Sequence, residues 1–270
     1  MDILRPKKRS GLRLLCGKMY YRVKRYLLWT FRNIKFAKVR DNIGIENIYF
    51  THSTPLIRQL RNVDMYLQYN KIHNLRIATS KIDNIVIFPG ETFSYWRLIG
   101  KPTKRKGYKE GMVLQYGTYT EGVGGGLCQL SNLLYWMALH TPLTVIERYR
   151  HSYDVFPDSN RILPFGSGAT CVYNYRDLMI KNETEQPFQI QVWITNTNLC
   201  GCIKSAVKPT EFYQIYEKEH VIKKELFGQY SRNNVLCRKI FDIHGVQVAN
   251  EFIAENHALM MYEPFIEECI

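Results

Sequence analysis

The chain lacks any long uninterrupted hydrophobic run. Lys or Arg interrupts the apolar positions of residues 1–40 every few residues, so nothing there approaches the roughly 20 apolar residues of a membrane-spanning helix. No apolar segment with a small-residue cleavage site follows the basic start, as it would in a signal peptide. We therefore expect a protein without a transmembrane helix, located in the cytoplasm or peripherally at the cytoplasmic face of the membrane.

Regular cysteine spacing is also missing. The chain has seven cysteines, an odd number, and they do not form the framework of a small disulfide-rich domain. Cys200 and Cys202 are the one close pair, and neither a second cysteine pair nor a histidine pair follows to complete a zinc site. The sequence therefore predicts a reducing compartment, no metal site and no cofactor.

Acidic residues are nearly absent from the start of the chain. Residues 1–40 hold thirteen Lys or Arg and one acid, Asp2, so they carry +12 of the formal net charge of +13. Apolar residues recur there at helical spacing: Leu12, Leu15, Met19, Val23, Tyr26 and Leu27. This pattern is typical of a helix on an anionic membrane surface, and a helix docked on the protein with a solvated basic face explains it equally well. No nucleic-acid recognition motif accompanies the charge, so no specific nucleic acid is expected as a partner.

One cysteine stands where a reactive thiolate is expected. Residues 124–126 are three consecutive glycines, and Cys128 follows them at the start of a helix-forming run. Glycines allow a sharp turn and close approach of a substrate, while N–H groups at a helix N-terminus lower the pKa of a thiol. The sequence therefore predicts Cys128 as a nucleophile. The alternative is a buried cysteine that packs as a small apolar residue.

A histidine is predicted to serve as the base for Cys128. The helix-forming run has a core-facing stripe of apolar residues: Leu127, Leu130, Leu134 and Ala138. The segment 140–142, His-Thr-Pro, ends the helix, and a strand-like segment, 143–149, leads to His151. A helix that returns into a strand brings His151 near Cys128, which is the nucleophile and base arrangement of acyl transfer. A histidine at a strand end is otherwise a surface or structural residue.

Four ordered motifs carry a family resemblance. They are residues 89–96 (PGETFSYW), 107–111 (GYKEG), 124–135 (GGGLCQLSNLLY) and 147–152 (ERYRHS). Together they resemble the VanW family over about residues 65–200. The resemblance implies an association with glycopeptide resistance and, from some multidomain relatives, a cysteine-dependent L,D-transpeptidase acting on peptidoglycan. It also implies that Cys128 and His151 are the catalytic residues and that a peptidoglycan stem peptide or precursor is the partner.

The chain departs from the family pattern at Gly168. Relatives usually have an Asp at this place, within the segment that reads GSGAT at residues 166–170 here. A carboxylate that would orient the histidine or bind an amine is therefore missing. A non-catalytic membrane-surface module that binds peptidoglycan precursor is accordingly the alternative to an acyltransferase.

Six further residues are candidates for the substrate and oxyanion site. Backbone N–H groups of the glycine turn, Gly125 and Gly126 among them, or of the helix start are predicted to hold an oxyanion, with Gln129 and Ser131 as additional amide or hydroxyl donors. Helix capping explains these last two equally well. Glu147 and Arg148 are predicted to bind substrate charge or to orient His151, with a solvated strand edge as the alternative.

The coarse pattern predicts an α+β fold in which an antiparallel sheet packs against a few helices. A helix is predicted over residues 55–82, and strands are predicted at 84–88, 143–149, 169–173, 178–181 and 188–194. We divide the chain into a basic amphipathic segment, a VanW-like core domain and a C-terminal β-rich appendage: residues 1–50, 51–205 and 206–270.

Overall fold

The structure, a computed structural model, describes residues 10–41, 44–57, 64–115, 117–156 and 162–264. The α-helices in these ranges are α1 (Gly11–Phe31), α2 (Met65–Ile82), α3 (Tyr95–Ile99) and α4 (Cys128–Leu139). The strands are β1 (Asn47–Pro55), β2 (Ile85–Ile87), β3 (Thr92–Ser94), β4 (Glu110–Gln115), β5 (Thr118–Val123), β6 (Thr144–Glu147), β7 (Tyr153–Asp154), β8 (Met179–Lys181), β9 (Phe188–Ile194), β10 (Asn198–Ser205), β11 (Glu211–Lys224), β12 (Tyr230–Asp242) and β13 (Gln247–Met260). The predicted α+β class is confirmed.

Three antiparallel sheets build the body of the protein. The first has the strand order β1-β10-β9-β2, the second has the order β3-β8-β6, and β4 and β5 form a two-stranded hairpin. In β9 Phe188, Ile190 and Val192 are buried on one face of the strand, and Gln189 on the opposite face is buried as well. The strand predicted over 188–194 is confirmed residue for residue.

The C-terminal β region is present and is tied to the body. Strands β11, β12 and β13 form an antiparallel meander, and β7 pairs in parallel with the end of β13. Arg238 of β12 donates hydrogen bonds to the carbonyls of Leu139 and Thr141, at 3.2 and 3.0 Å. The C-terminal sheet thus satisfies carbonyls at the end of α4, which a helix leaves without internal partners. It also pairs with the short strand that follows His151.

Helix α4 lies in the centre of the core. All four residues of its predicted apolar stripe are buried, and the helix ends at Leu139 as predicted. Of the polar residues that follow Cys128 at helical spacing on α4, Ser131 and Tyr135 are buried and Asn132 is exposed. Helix α4 packs against β1, β10 and β6, so strands cover it on more than one side.

The region predicted as one helix over residues 55–82 is divided. Strand β1 continues to Pro55, and α2 begins only at Met65, after the N-cap residue Asp64. Residues 58–63 lie outside the described part of the chain. Pro55 is the last residue of β1 that pairs with β10, opposite Asn198, and the apolar spacing that predicted the helix lies within α2.

Helix α1 docks on the body through one face. The Arg25 side chain is buried and its guanidinium donates to both carboxylate oxygens of Glu147, with 2.8 Å from Nη1 to Oε2. The hydroxyls of Tyr26 and Tyr173 are hydrogen-bonded at 2.8 Å. Residues 1–9 of the predicted basic segment lie outside the described residues. Within the described ranges, α1 and the other helices are too short or too polar to cross a membrane.

Candidate functional site

The glycine turn before α4 is held by close backbone contact. A Cβ atom on Gly125 would lie 2.1 Å from the carbonyl carbon of Gly111 in β4. The two backbone segments therefore lie closer together than a residue with a side chain would allow. Gly126 has φ of +87°, in the left-handed region. The Asn74 amide of α2 donates to the Gly125 carbonyl at 3.0 Å. Helix α2 and strand β4 therefore fix the start of α4.

The hydrogen bonds of the turn engage the two glycine N–H groups that were predicted to hold an oxyanion. The N–H groups of Gly125 and Gly126 donate to the carbonyls of Gly122 and Met112, both at 2.9 Å. Leu127 N–H has no acceptor among the described residues, and Cys128 N–H has none except its own Sγ. Free N–H groups in the first turn are a general property of helices. The predicted helix start at Cys128 therefore already indicated in the sequence that these N–H groups would be free.

The Cys128 thiol is half-buried at the first residue of α4. Its Sγ lies 3.8 Å from the Cys171 carbonyl oxygen, to which the thiol donates. Burial raises the pKa of the Cys128 thiol, and hydrogen bonding with the backbone of Cys171 and of Cys128 itself only partly offsets this rise. The expected lowering by the helix N-terminus is therefore outweighed by loss of solvation. At neutral pH the resting site contains a neutral thiol.

His151 lies between β6 and β7. Burial, together with the positive charges of Arg176 and Arg150, lowers the pKa of His151 to about 4. The imidazole is therefore neutral at pH 7 and able to accept a proton. No hydrogen bond joins it to Cys128 Sγ in the described structure, and the catalytic pairing of these two residues stays a prediction.

The side chains of Glu147 and Arg148 form hydrogen bonds with other groups of the protein. Glu147 binds Arg25 of α1 and accepts a hydrogen bond from the Asp177 N–H at 3.1 Å. The Arg148 guanidinium lies 4.9 Å from the centre of the Tyr135 ring, and burial lowers the pKa of Arg148. It donates to three groups: the carbonyls of Gly166 and Gly168, the latter at 2.9 Å, and Oδ1 of Asn256 at 3.0 Å. Both side chains are therefore engaged with other groups of the protein and do not form a solvated strand edge.

Gln129 and Ser131 also use their polar groups within the protein. The Gln129 amide donates to Oγ1 of Thr54 at 3.0 Å and to the Pro55 carbonyl at 2.8 Å. The Ser131 hydroxyl lies 2.7 Å from the carbonyl oxygen of Ala169 and 3.1 Å from that of Cys128. Gln129 thus fixes α4 to β1. Ser131 joins α4 to the segment 169–171, whose Cys171 carbonyl accepts the hydrogen bond of the thiol.

Asn132 fills the space beside Gly168. A Cβ atom on Gly168 would lie 2.7 Å from Oδ1 of Asn132, and this oxygen accepts a hydrogen bond from the Ala169 N–H at 2.8 Å. Asn132 stands four residues after Cys128 on α4. The space beside Gly168 is therefore closed by an amide from the helix that carries the thiol.

Two buried residues near the thiol were missed by the sequence interpretation. The Tyr95 hydroxyl donates to the Leu127 carbonyl at 2.8 Å, and burial raises the pKa of Tyr95 well above its ordinary value. Asp177 is fully buried, and burial raises its pKa to about 7, although it accepts hydrogen bonds from Ser94 at 2.6 Å and from the Trp96 N–H at 2.9 Å. The motif at residues 89–96 contains Tyr95 itself and both named partners of Asp177, Ser94 and Trp96, and was the signal available.

Groups that could bind other ligands are few in the described ranges. No cluster of three or more His, Cys, Asp or Glu side chains there could hold a metal ion. An open cavity of about 420 Å³ lies between α2 and the β4–β5 hairpin. Its lining includes two tyrosines, two lysines and two glutamates: Tyr66, Tyr108, Lys104, Lys109, Glu110 and Glu121.

Comparisons with known proteins place the site within a shared region. The family model described as VanW like protein matches residues 70–204, which contain both Cys128 and His151. The vancomycin B-type resistance protein VanW of Enterococcus faecalis is 40% identical over 195 residues, which are 72% of this chain and 71% of that protein. The uncharacterized protein YoaR of Bacillus subtilis is 32% identical over 153 residues, which are 54% of this chain and about half, 49%, of that protein. No solved structure matches the chain significantly.

Proposed function

Because this chain belongs to the VanW family, we propose that it contributes to resistance to a glycopeptide antibiotic through a cysteine site that acts on peptidoglycan stem peptides. The relative from Enterococcus faecalis bears the name of a vancomycin resistance protein. The observation that carries the proposal is the place of Cys128 as first residue of α4, beside the backbone N–H groups of Leu127 and Cys128, which bind no other residue in the described part of the chain. A thiol next to free N–H donors suits acyl transfer.

The proposed reaction has two halves. Cys128 Sγ attacks the carbonyl carbon between an L-centred and a D-centred residue, and a C–S bond forms as the C–N bond breaks. The thiol proton passes to His151 and from there to the leaving amine. An acceptor amine then gives a proton to His151 and attacks the thioester, so that a C–N bond forms and the C–S bond breaks. The released Sγ takes the proton back.

The charge states of the two residues favour proton transfer during attack over a preformed ion pair. The pKa of Cys128 is raised and that of His151 is lowered to about 4, so both groups are neutral at pH 7. A neutral imidazole can accept the thiol proton, provided that it lies within roughly 3–5 Å of Sγ, directly or through one water. The N–H groups of Leu127 and Cys128 would then stabilise the oxyanion.

The cavity beside the glycine turn suits a substrate with charges of both signs. Stem peptides carry carboxylates and amines, and the cavity lining offers lysines and glutamates. Asn74 connects this cavity to the turn, because its amide nitrogen donates to the carbonyls of both Lys109 and Gly125 at 3.0 Å. A bound peptide would therefore lie close to the start of α4.

Binding without catalysis is the second candidate function. It is favoured by the raised pKa of Cys128, by the hydrogen bond that the thiol makes to Cys171, and by the missing carboxylate at Gly168. In this case the same site holds a peptidoglycan precursor, and the thiol only contributes to packing.

The full chain should be incubated with a peptidoglycan stem peptide and an acceptor amine, and the adducts and products measured by mass spectrometry. Cys128→Ala removes the nucleophile, and Cys16→Ser alters an exposed thiol of α1 as the matched control. Acyl transfer predicts a thioester on Cys128 and a new amide in wild type and in Cys16→Ser, with neither in Cys128→Ala. Equal peptide binding by all three proteins without adduct or product supports the binding function. Absence of both binding and reaction contradicts both functions.

A further inference from the structure

We propose that the outward face of α1 rests on an anionic lipid bilayer while its opposite face is docked on the body of the protein. This surface, defined by Leu12, Met19, Val23 and Leu27, is independent of any chemistry at Cys128. The proposal rests on three features of the described residues: how α1 is held, what its free face exposes, and which charges accompany that face.

The inner face of α1 is fixed by specific contacts. Arg25 is 6% exposed and is paired with Glu147, and its Nη1 also lies 3.4 Å from the Met179 sulfur. The Trp29 carbonyl accepts a hydrogen bond from Arg97 at 3.2 Å. Residues four apart lie on one side of a helix, so Arg25 and Trp29 define a single docked side. This side cannot turn outward without breaking an ion pair.

The opposite side exposes an apolar stripe. Leu12, Met19, Val23 and Leu27 are 73%, 58%, 54% and 50% exposed, and they recur at spacings of seven, four and four residues. Each residue turns a helix by about 100°, so Val23 and Leu27, each two positions from Arg25, point away from the docked side. An apolar stripe directed away from the body is the arrangement of a helix that lies in a membrane interface.

The charges around the stripe identify the partner. Residues 10–40 contain nine Lys or Arg and no acidic residue, and only Arg25 is paired with Glu147. Arg13 and Lys24 are exposed and lie roughly 80–100° from the stripe on one side. A second copy of this chain would bring two such basic faces together, and a nucleic acid would leave the apolar stripe unburied. An anionic bilayer attracts the basic residues and also buries the apolar stripe.

The contacts between α1 and the body involve segments of the candidate site. Glu147, which holds Arg25, stands four residues before His151, and Tyr173, which contacts Tyr26, stands two residues after Cys171. The segments that carry His151 and cover Cys128 are therefore attached to the membrane-facing helix.

Co-sedimentation of the full chain with vesicles tests the proposal. Vesicles of phosphatidylcholine alone are compared with vesicles containing phosphatidylglycerol, at low and at high salt. The variant Val23→Asp with Leu27→Asp places two acids on the stripe. The matched control, Ile243→Asp with Val246→Asp, makes the same change at an exposed turn between β12 and β13, where these residues are 65% and 59% exposed. Cys128→Ala separates membrane binding from the proposed function.

We expect wild type, the turn variant and Cys128→Ala to bind phosphatidylglycerol vesicles, with binding reduced by salt. The stripe variant should bind about tenfold less or weaker still. Failure of wild type to bind at low salt would overturn the proposal, and so would equal loss in the stripe and turn variants. A change of oligomeric state in the stripe variant without a change in vesicle binding would assign the stripe to a second copy and reject the bilayer.

Discussion

Cys128 at the start of α4 donates its thiol hydrogen bond to the carbonyl of Cys171, with 3.8 Å between Sγ and the carbonyl oxygen. This contact couples the first turn of the helix to a segment that Ser131 and Asn132 also hold through Ala169. The segment covers the thiol, and the resulting loss of solvation opposes the effect of the helix N-terminus on its pKa. The Cys128 thiol is therefore protonated at neutral pH.

The first prediction concerns the reactivity of Cys128. Because burial raises the pKa of this thiol, its alkylation by iodoacetamide should show a transition above the value of about 8.5 for a free thiol. Peptide mass spectrometry across pH measures the modified fraction at Cys128, and Cys128→Ala identifies the signal. A transition well below the free value would mean that the thiol is a preformed thiolate.

The second prediction concerns His151 as the base. If His151 accepts the thiol proton, His151→Gln should reduce acyl transfer by about 10²–10⁴-fold. With a pKa of about 4, wild-type His151 stays neutral above pH 5, so it should cause no loss of activity between pH 5 and 8. Rates measured over this range test both statements. Undiminished activity in a folded His151→Gln protein would remove the residue from the mechanism.

Local patterns in the sequence were sufficient for the elements near Cys128. Helix α4 begins at Cys128, and its end at Leu139 follows from the His-Thr-Pro segment; β9 follows from the alternation of apolar residues with Gln189 and Gln191. These features depend on neighbours a few positions apart, which periodicity and turn residues encode. The α+β class follows from the same patterns.

The surroundings of the site could not be predicted, because they depend on residues far apart in the chain. Arg25 and Glu147 are separated by 122 positions, and Cys128 and Cys171 by 43. Glu147 therefore resembled a strand-edge residue in the sequence, and the burial of the thiol had no local signal. The engagement of the Gly125 and Gly126 N–H groups likewise depends on how the turn packs against β4.

The third prediction concerns the close contact at Gly125. Gly125→Ala would place a Cβ atom 2.1 Å from the carbonyl carbon of Gly111, and backbone atoms on both sides cannot move freely. We expect a loss of several kcal/mol in the free energy of unfolding, about 3 or more by analogy with overpacked cores. Gly17→Ala in α1 is the control: apart from its neighbours and the backbone of its own helix no atom lies within 4 Å of its Cβ, and helix propensity should stabilise by up to about 1 kcal/mol. Urea unfolding measures both; equal stabilities would contradict the contact.

The fourth prediction concerns the ion pair between α1 and β6. Arg25→Met leaves the Glu147 carboxylate without its cationic partner, and breaking a buried pair costs about 3–5 kcal/mol, less here because Glu147 is 18% exposed. We expect lower stability and faster proteolysis of α1. Lys24→Met, which changes an exposed neighbour, is the control. The double variant with Glu147→Gln should regain part of the loss; a strictly additive double variant would show that the pair is not coupled.

The last prediction concerns Asp177 and pH. Burial raises its pKa in the folded protein to about 7, against about 3.9 in an unfolded chain. Between these values the folded state keeps a proton that the unfolded state releases, so Asp177 makes stability fall as pH rises from about 4 to about 7. His140 and His151, whose pKa values are lowered to about 4, act in the opposite direction over nearly the same range.

The effect of Asp177 must therefore be measured as the difference in free energy of unfolding between wild type and a variant. Asp177→Asn removes its contribution, so the free energy of unfolding of the variant relative to wild type should rise from pH 4 to pH 8, by on the order of 2 to 4 kcal/mol. Urea unfolding at several pH values measures this difference. Glu219→Gln makes the same chemical change at an exposed position of β11 and should show no comparable slope. A difference that stays flat in Asp177→Asn would mean that the Asp177 carboxyl is ionised throughout this range, because its hydrogen bonds from Ser94 and Trp96 outweigh the cost of burial.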